Sequence, residues 1–185
     1  MSNGNISPLT ALTGERERSK PKPPIFVTLG MHRSGTSAIA RGLESLGISL
    51  GNDLLGPSTG DNEKGFWEDK AILDLEERLL QKGGSSFDAL APISEDYTGP
   101  LFSAERVEAA ELIRSRVALF EKFGFKNPRS ALLLDFWQCV FDDLNLEARY
   151  IIATRNPLEV AQSLKRRNGY VLERSLFLWA KYCVP

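Results

Sequence analysis

A short apolar strand, a glycine-containing loop and an amphipathic helix follow one another near the start of the chain. Residues Ile25–Leu29 form a β-rich run that ends at a glycine, as is typical of a buried parallel strand. After the loop, Ile39, Leu43 and Leu46 recur at helical spacing, and Gly47 is suited to end that helix. This order of elements points the loop amides and the helix dipole at one spot, which favours binding of a phosphate.

The loop carries charged and hydroxyl side chains between its glycines. It reads Gly30-Met31-His32-Arg33-Ser34-Gly35-Thr36-Ser37. The glycines permit a tight path, the arginine brings a permanent charge with a fork of donors, and the hydroxyl groups add further donors. We therefore predict a phosphate site made by Arg33, Ser34, Gly35, Thr36 and Ser37.

A nucleotide kinase or NTPase is the main alternative for such a loop. Its P-loop places a lysine directly after the second glycine, where this chain has Thr36. A string similar to a Walker-B motif ends at Asp135, but the apolar residues around it recur at helical spacing. We therefore predict that Asp135 is a helix residue and not a magnesium ligand. A glycine turn without any ligand is a further alternative.

Strands and helices alternate along the rest of the chain. Further strands are predicted at 123–126 and 149–154, and helices are predicted to begin near residues 67, 107, 132, 157 and 172. Asn156 suits an N-cap, Pro157 the first helical position, and Glu159 completes a capping-box pattern. The stretch from about 84 to 103 is predicted to be irregular. The alternation favours a parallel sheet with helices on both faces, in one domain over 25–185 that could be incomplete at its C-terminal end.

Composition and charge argue against several classes of partner. The 185 residues carry a formal net charge of −1, which gives no reason to expect nucleic acid or an anionic membrane. We see no signal peptide and no apolar run long enough to span a bilayer, so we expect a cytoplasmic protein. Residues 1–24 are polar and are predicted to be a disordered leader. Cys139 and Cys183 are expected to be buried free thiols.

Two segments together resemble the sulfotransferases that use 3′-phosphoadenosine 5′-phosphosulfate as the sulfuryl donor. The run from His32 to Ser37 resembles their 5′-phosphosulfate-binding loop, with Arg33 where many members have a lysine. The run from Arg155 to Ser163 resembles their 3′-phosphate-binding segment, and the resemblance implies that these two residues contact that phosphate. The resemblance also implies a P-loop NTPase-like three-layer fold. The two segments are more similar to those of bacterial members than to those of the cytosolic animal enzymes.

A third segment, Phe125–Arg129, resembles the strand end that carries a catalytic lysine in this family. The resemblance implies that Lys126 and Arg33 stabilise the charge on the leaving phosphate oxygen. Cytosolic members usually have a histidine base two residues after the lysine, where this chain has Pro128. The general base must therefore be another residue.

Three residues are candidates for the general base. Some branches of the family use a glutamate after the loop, and Glu68 is the first candidate because Trp67 could desolvate its carboxyl group and raise its pKa. Glu68 could equally complement a helix dipole. Glu63 is the second candidate. His32 is the third, although its ring could instead orient the loop or face the core.

The predicted function is transfer of a sulfuryl group from 3′-phosphoadenosine 5′-phosphosulfate to a hydroxyl group of a small molecule or glycan. The resemblance implies that no metal is required, and the sequence has no cluster of metal-ligating residues. A nucleotide kinase or NTPase remains one alternative. A non-catalytic nucleotide-binding module is the other.

Overall fold

The computed structural model describes residues 21–58 and 65–183, which contain a parallel sheet of three strands. The strands are β1, Pro24–Leu29, β2, Phe123–Lys126, and β3, Glu147–Ile152. Their order in the sheet is β2-β1-β3. The strand with the strongest apolar pattern therefore lies in the middle, where its side chains can be covered on both faces.

The third strand lies two residues earlier than predicted. It pairs with β1 from Pro24 opposite Glu147 to Leu29 opposite Ile152. This register ends where β1 ends, so Ala153 and Thr154 belong to the following loop, although the Ala153 amide still donates to the Leu29 carbonyl at 2.8 Å. The end of β3 is therefore set by the length of the central strand. The sequence of β3 alone does not give that length.

Helices flank the sheet, and the mixed α/β class with a parallel sheet is confirmed. The α-helices are α1, Thr36–Ser45, α2, Lys70–Lys82, α3, Ser103–Leu119, α4, Leu134–Asp143, α5, Pro157–Asn168, and α6, Leu172–Cys183. Short 3₁₀ turns occupy Pro100–Phe102 and Pro128–Ala131.

Two helices begin later than predicted. The side chain of Asp69 accepts hydrogen bonds from the amides of Ala71 and Ile72, which fixes the start of α2 at Lys70 and not near Trp67. The turn Pro128–Ala131 ends just before the predicted helix start, and the amides of Leu132 and Leu133 still donate back into it, so α4 begins only at Leu134. Asp135 is an exposed residue in the first turn of α4, as predicted.

The buried face of α3 differs from the predicted one. The helical spacing of apolar residues in the sequence predicts one buried face, made by Val107, Ala110, Ile113, Val117 and Phe120. However, Val107 is 60% exposed. Ala109 and Ile113 are the buried residues. Glu105 and Glu108 form ion pairs with side chains of α2, so the helix turns that side toward α2 and leaves Val107 in solvent.

Two apolar clusters support the carboxyl-terminal edge of the sheet. The larger one joins β1 and β2 to α2, α3 and α4 and includes Phe125 and Trp137. The smaller one joins α5 and α6 around Met31, which comes from the loop after β1 and is 1% exposed. The loop after β1 is therefore anchored in the apolar core by the Met31 side chain.

Some predictions concern residues at the ends of the chain and at its surface. Residues 1–20 of the predicted leader lie outside the described residues, and β1 begins at Pro24, the last residue assigned to the leader. Both cysteines are free, but Cys139 is only partly buried and Cys183 is exposed. Among the described helices, none combines the length and the apolar character that crossing a membrane requires.

Candidate functional site

The predicted site residues follow three strand ends that meet at one edge of the sheet. The glycine loop follows β1, Lys126 is the last residue of β2, and Arg155 comes shortly after β3. Because all three strands are parallel, their carboxyl ends lie side by side. Ligands of open α/β sheets bind at such an edge.

The loop after β1 contains three residues with positive φ angles. Gly30, Arg33 and Gly35 have φ angles of 142°, 69° and 90°. A Cβ atom at Gly30 would collide with the carbonyl oxygen of Ala153, so only glycine permits this approach of the loop to the end of β3. The backbone path therefore accounts for the glycine after β1.

The first turn of α1 differs from those of α2 and α5. Asp69 caps α2 and Asn156 caps α5 through their side-chain oxygens, whereas the N-cap of α1 is Gly35. Glycine brings no side chain to the position that a capping oxygen fills, and α1 has no acidic residue in its first turn. An external anion is the group that complements such a helix start.

Hydrogen bonds connect the loop to the segment after β3. Arg33 Nε donates to Ser163 Oγ at 2.8 Å across 130 positions of sequence. Arg155 Nη1 donates to the Arg33 carbonyl oxygen at 3.2 Å. Ser163 is 3% exposed, so its hydroxyl group holds Arg33 from inside the fold. The structure therefore brings the two predicted phosphate segments together, with Arg33 between Ser163 and Arg155.

Arg155 lies at the surface end of this arrangement. Its side chain is 42% exposed, and its Nε donates to Glu159 Oε2 at 2.8 Å. Asn156 caps α5 as predicted, but the Glu159 carboxylate binds Arg155 and does not complete the predicted capping box. Trp179 Nε1 donates to the Arg155 carbonyl at 3.1 Å, which attaches this corner to α6.

Lys126 and Glu68 form a buried ion pair beside the loop. Lys126 Nζ donates to Glu68 Oε1 at 2.5 Å, and it also reaches the Phe66 carbonyl at 3.1 Å and Ser37 Oγ at 3.4 Å. The lysine is 3% exposed and the glutamate 5%. Burial lowers the pKa of Lys126, and the Glu68 carboxylate opposes that shift.

The position of Glu68 argues against the interpretation that it complements a helix dipole. The neighbouring Asp69 caps α2 and also accepts from Arg116 Nε at 2.8 Å, so Asp69 is the residue that complements this helix end. Glu68 points instead to the ammonium group of Lys126. The second base candidate, Glu63, lies outside the described residues.

A cavity of about 240 Å³ lies where these groups meet. Predicted site residues on its wall are Arg33, Thr36, Ser37, Glu68 and Lys126. The remaining predicted residues lie around it, because Ser34 and Ser163 are buried in the support of the loop and Gly35 and Arg155 are exposed.

A larger cavity of about 570 Å³ lies between residues 90–97, the start of α4 and α6. Leucine, isoleucine and phenylalanine side chains make up much of its wall, and Asp135 is one of its polar residues. We place the candidate site in the smaller cavity, because the buried ion pair and the glycine loop converge there.

His32 lies between two aromatic rings. Its ring makes edge contacts with Phe87 at 5.6 Å and Tyr182 at 5.2 Å between centroids. Burial, followed by the nearby cation of Arg167, lowers its pKa to about 4. A histidine with this pKa is neutral at pH 7 and is a weak proton acceptor, so its contacts suit the alternative in which the ring orients the loop.

Sequence reasoning missed Arg129 and Phe87 on the cavity wall. The Arg129 guanidinium lies 4.8 Å from the centroid of the Phe87 ring, and its Nη2 donates to Glu77 Oε1 at 2.6 Å. Arg129 belongs to the segment that resembles a catalytic strand end. Its position three residues after Lys126 could therefore have indicated that it lies at the site. Phe87 lies in the irregular stretch and gave no signal.

Sequence reasoning also missed Glu76, a buried carboxyl group beneath the site. It is 0% exposed and accepts from Ser130 Oγ at 2.6 Å and Trp137 Nε1 at 2.8 Å. Burial raises its pKa to about 8, although both hydrogen bonds act in the opposite direction. Glu76 is therefore a neutral acid, and it supports the turn that follows Lys126. Its spacing from Ile72 and Leu79 on the apolar face of α2 was a signal for burial.

Within residues 21–58 and 65–183, no three His, Cys, Asp or Glu side chains lie close enough together to hold a metal ion.

We predict that the Lys126–Glu68 pair shows strong coupling in a double-mutant cycle. Lys126→Met should destabilise the fold by about 3–5 kcal/mol, because it leaves a buried carboxylate without its cation. Lys126→Met combined with Glu68→Gln should recover at least ~1 kcal/mol of that loss. Urea unfolding at pH 7 measures the four free energies of unfolding. Additive effects of the two substitutions would contradict a buried ion pair.

We predict that Glu76 makes stability fall as pH rises. Its pKa is about 8 in the folded chain and about 4.5 when unfolded, so between these values the folded state binds more protons than the unfolded state. The contribution is complete below pH 4.5 and is lost as pH rises toward 8, by at most ~1.4 kcal/mol per unit. Urea unfolding of wild type and Glu76→Gln from pH 5 to 8 measures it. Parallel pH profiles would refute the assignment.

Searches of this chain against models of protein families, against curated proteins and against solved structures found no match in any of the three comparisons. The residues of the site are therefore the basis for a functional conclusion.

Proposed function

We propose that this chain is a P-loop sulfotransferase that moves a sulfuryl group from 3′-phosphoadenosine 5′-phosphosulfate to an acceptor hydroxyl group. The observation that carries the proposal is the hydrogen bond from Arg33 to Ser163. It joins the two segments that resemble the donor-binding motifs, and it does so beside the buried Lys126. In a P-loop NTPase-like fold, the loop after a central parallel strand is where phosphates bind.

The residues at this edge suit the two ends of the donor. The loop amides at the start of α1, the Arg33 guanidinium and the Lys126 ammonium would hold the 5′-phosphosulfate. Arg155, which is partly exposed at the start of α5, would hold the 3′-phosphate. Ser163 is buried against Arg33, so we assign it to hold that side chain and not to contact the phosphate.

The proposed reaction is an in-line displacement at sulfur. The acceptor oxygen bonds to sulfur while the bond from sulfur to the bridging phosphate oxygen breaks, and the electron pair of that bond stays on the phosphate. Lys126 and Arg33 stabilise the growing negative charge. The hydroxyl proton passes to Glu68, which lines the same cavity. The products are a sulfate ester and 3′-phosphoadenosine 5′-phosphate.

The Lys126–Glu68 contact links the proposed proton acceptor to the cation that stabilises the leaving phosphate. Before transfer, the Lys126 ammonium group contacts the Glu68 carboxyl group, so the proposed base and the stabilising cation lie together in one cavity. Once Glu68 is protonated, its attraction for Lys126 falls and the ammonium group can serve the phosphate. One buried pair thus supplies both the base and the stabilising cation.

The alternatives have less support from the arrangement of residues. A kinase needs a magnesium ligand near the loop, but Asp135 is exposed on α4 and faces the larger cavity. Thr36 also stands at the position of the P-loop lysine. A non-catalytic nucleotide-binding module would need no base, whereas Glu68 lies in the cavity with Lys126. A cytoplasmic location, an acceptor that is a small molecule or glycan, and the lack of nucleic acid partners stay predictions.

Calorimetric titration with 3′-phosphoadenosine 5′-phosphate in the absence of magnesium tests the proposal. Wild type should bind it with micromolar affinity. Arg33→Gln and Arg155→Ala should each weaken binding by about 1.5–3 kcal/mol, because each removes a charge-assisted hydrogen bond to phosphate. Arg78→Ala is the matched control, because Arg78 pairs with Glu108 on the far helices and should leave affinity unchanged.

Two outcomes would favour the other functions. Folded wild type that binds magnesium-ATP and not the desulfated nucleotide would replace the proposal with the kinase class. Tight binding of the desulfated nucleotide without sulfate transfer to a broad panel of hydroxyl compounds would favour the non-catalytic module.

A further inference from the structure

Residues 86–89, which we call the wall segment, run along the cavity beside His32. Phe87 is its cavity-lining residue, together with His32 and Arg129. The segment has no regular secondary structure. Its position therefore depends on side chains from other parts of the fold.

The turn before α6 and α6 itself hold the wall segment through four side chains. The bonds run from Tyr170 OH to Asp88 Oδ2 at 2.8 Å, from Arg174 Nη2 to the Asp88 carbonyl at 2.9 Å, from Lys181 Nζ to the Ala89 carbonyl at 2.9 Å and from Tyr182 OH to the Phe87 carbonyl at 2.7 Å. All four side chains bind the wall segment on the side that faces α6. The contact on the side of the glycine loop is the edge contact between the Phe87 and His32 rings.

His32 is therefore the ring through which the loop meets the wall segment. It packs against Phe87 and Tyr182, and these two residues are themselves joined by the Tyr182 hydroxyl. Its neighbours in the chain are fixed in different ways, since Met31 is buried with α5 and α6 and Arg33 belongs to the proposed phosphate site. A ligand bound at Arg33 therefore lies one residue from the His32 ring.

We propose that His32 is a positioning residue whose ring transmits occupancy of the phosphate loop to the wall segment, so that the loop and the wall segment become ordered together. The inference rests on the proposed function, because it takes the bound anion to be the donor. It gives His32 a role in the geometry of the cavity wall and not in proton transfer. The role requires an aromatic ring and does not require the imidazole nitrogens.

Hydrogen–deuterium exchange of the peptide that covers residues 84–90 tests this transmission. The probe is 3′-phosphoadenosine 5′-phosphate at a concentration that saturates each variant by calorimetry. In wild type, the nucleotide should slow exchange in this peptide by about tenfold. His32→Phe should keep that effect because it keeps both ring contacts. His32→Ala should still bind the nucleotide but lose the slowing.

A second variant keeps the inference testable if His32→Ala does not fold. Tyr182→Phe retains a ring beside His32 but removes the hydroxyl group that binds the Phe87 carbonyl. The wall segment should then exchange faster in both states and be slowed less by the nucleotide, while affinity changes by less than about twofold.

Three results would overturn the inference while leaving the proposed function in place. They are slowing in folded His32→Ala equal to that in wild type, loss of slowing in His32→Phe, and nucleotide binding by wild type without any slowing at residues 84–90. Failure of wild type to bind the nucleotide in the calorimeter is a different result, and it would remove the proposed function and this inference together.

Discussion

The hydrogen bond from Arg33 to Ser163 is the contact on which the candidate site depends. Arg33 has a φ angle of 69°, a conformation that costs roughly 1–2 kcal/mol for a residue other than glycine, so the surrounding structure must hold it. Ser163 accepts from its side chain, and Arg155 donates to its carbonyl group. Both partners come from the segment after β3. The shape of the loop after β1 is therefore completed by residues more than a hundred positions away, and the two segments would lose their geometry together.

Two buried glutamates near this loop have different partners. Glu68 has the ammonium group of Lys126 at 2.5 Å. Glu76 accepts from the neutral donors of Ser130 and Trp137, and burial raises its pKa to about 8. A neighbouring cation stabilises a buried carboxylate much more than neutral donors do. The same residue type thus provides a proposed proton acceptor inside the cavity and a neutral support beneath it.

The sequence predicted the elements of the site better than the contacts between them. Apolar runs and punctuating glycines identified the three strands and the loop, because burial and backbone geometry leave local patterns. The hydrogen bond from Arg33 to Ser163 could not be predicted, because it depends on how α5 packs against the loop. The same limit applies to Phe87, whose position depends on side chains from α6. The exposed position of Val107 on α3 likewise follows from ion pairs with α2, which periodicity alone does not contain.

The most direct test of the account is a crystal structure of the chain with 3′-phosphoadenosine 5′-phosphate bound. The 5′-phosphate should lie at the start of α1, within hydrogen-bond distance of Arg33 and Lys126, and the 3′-phosphate should lie beside Arg155. The hydrogen bond between Arg33 and Ser163 should be retained in the complex. A nucleotide bound in the larger cavity between α4 and α6, or bound with neither phosphate near the loop after β1, would contradict the account.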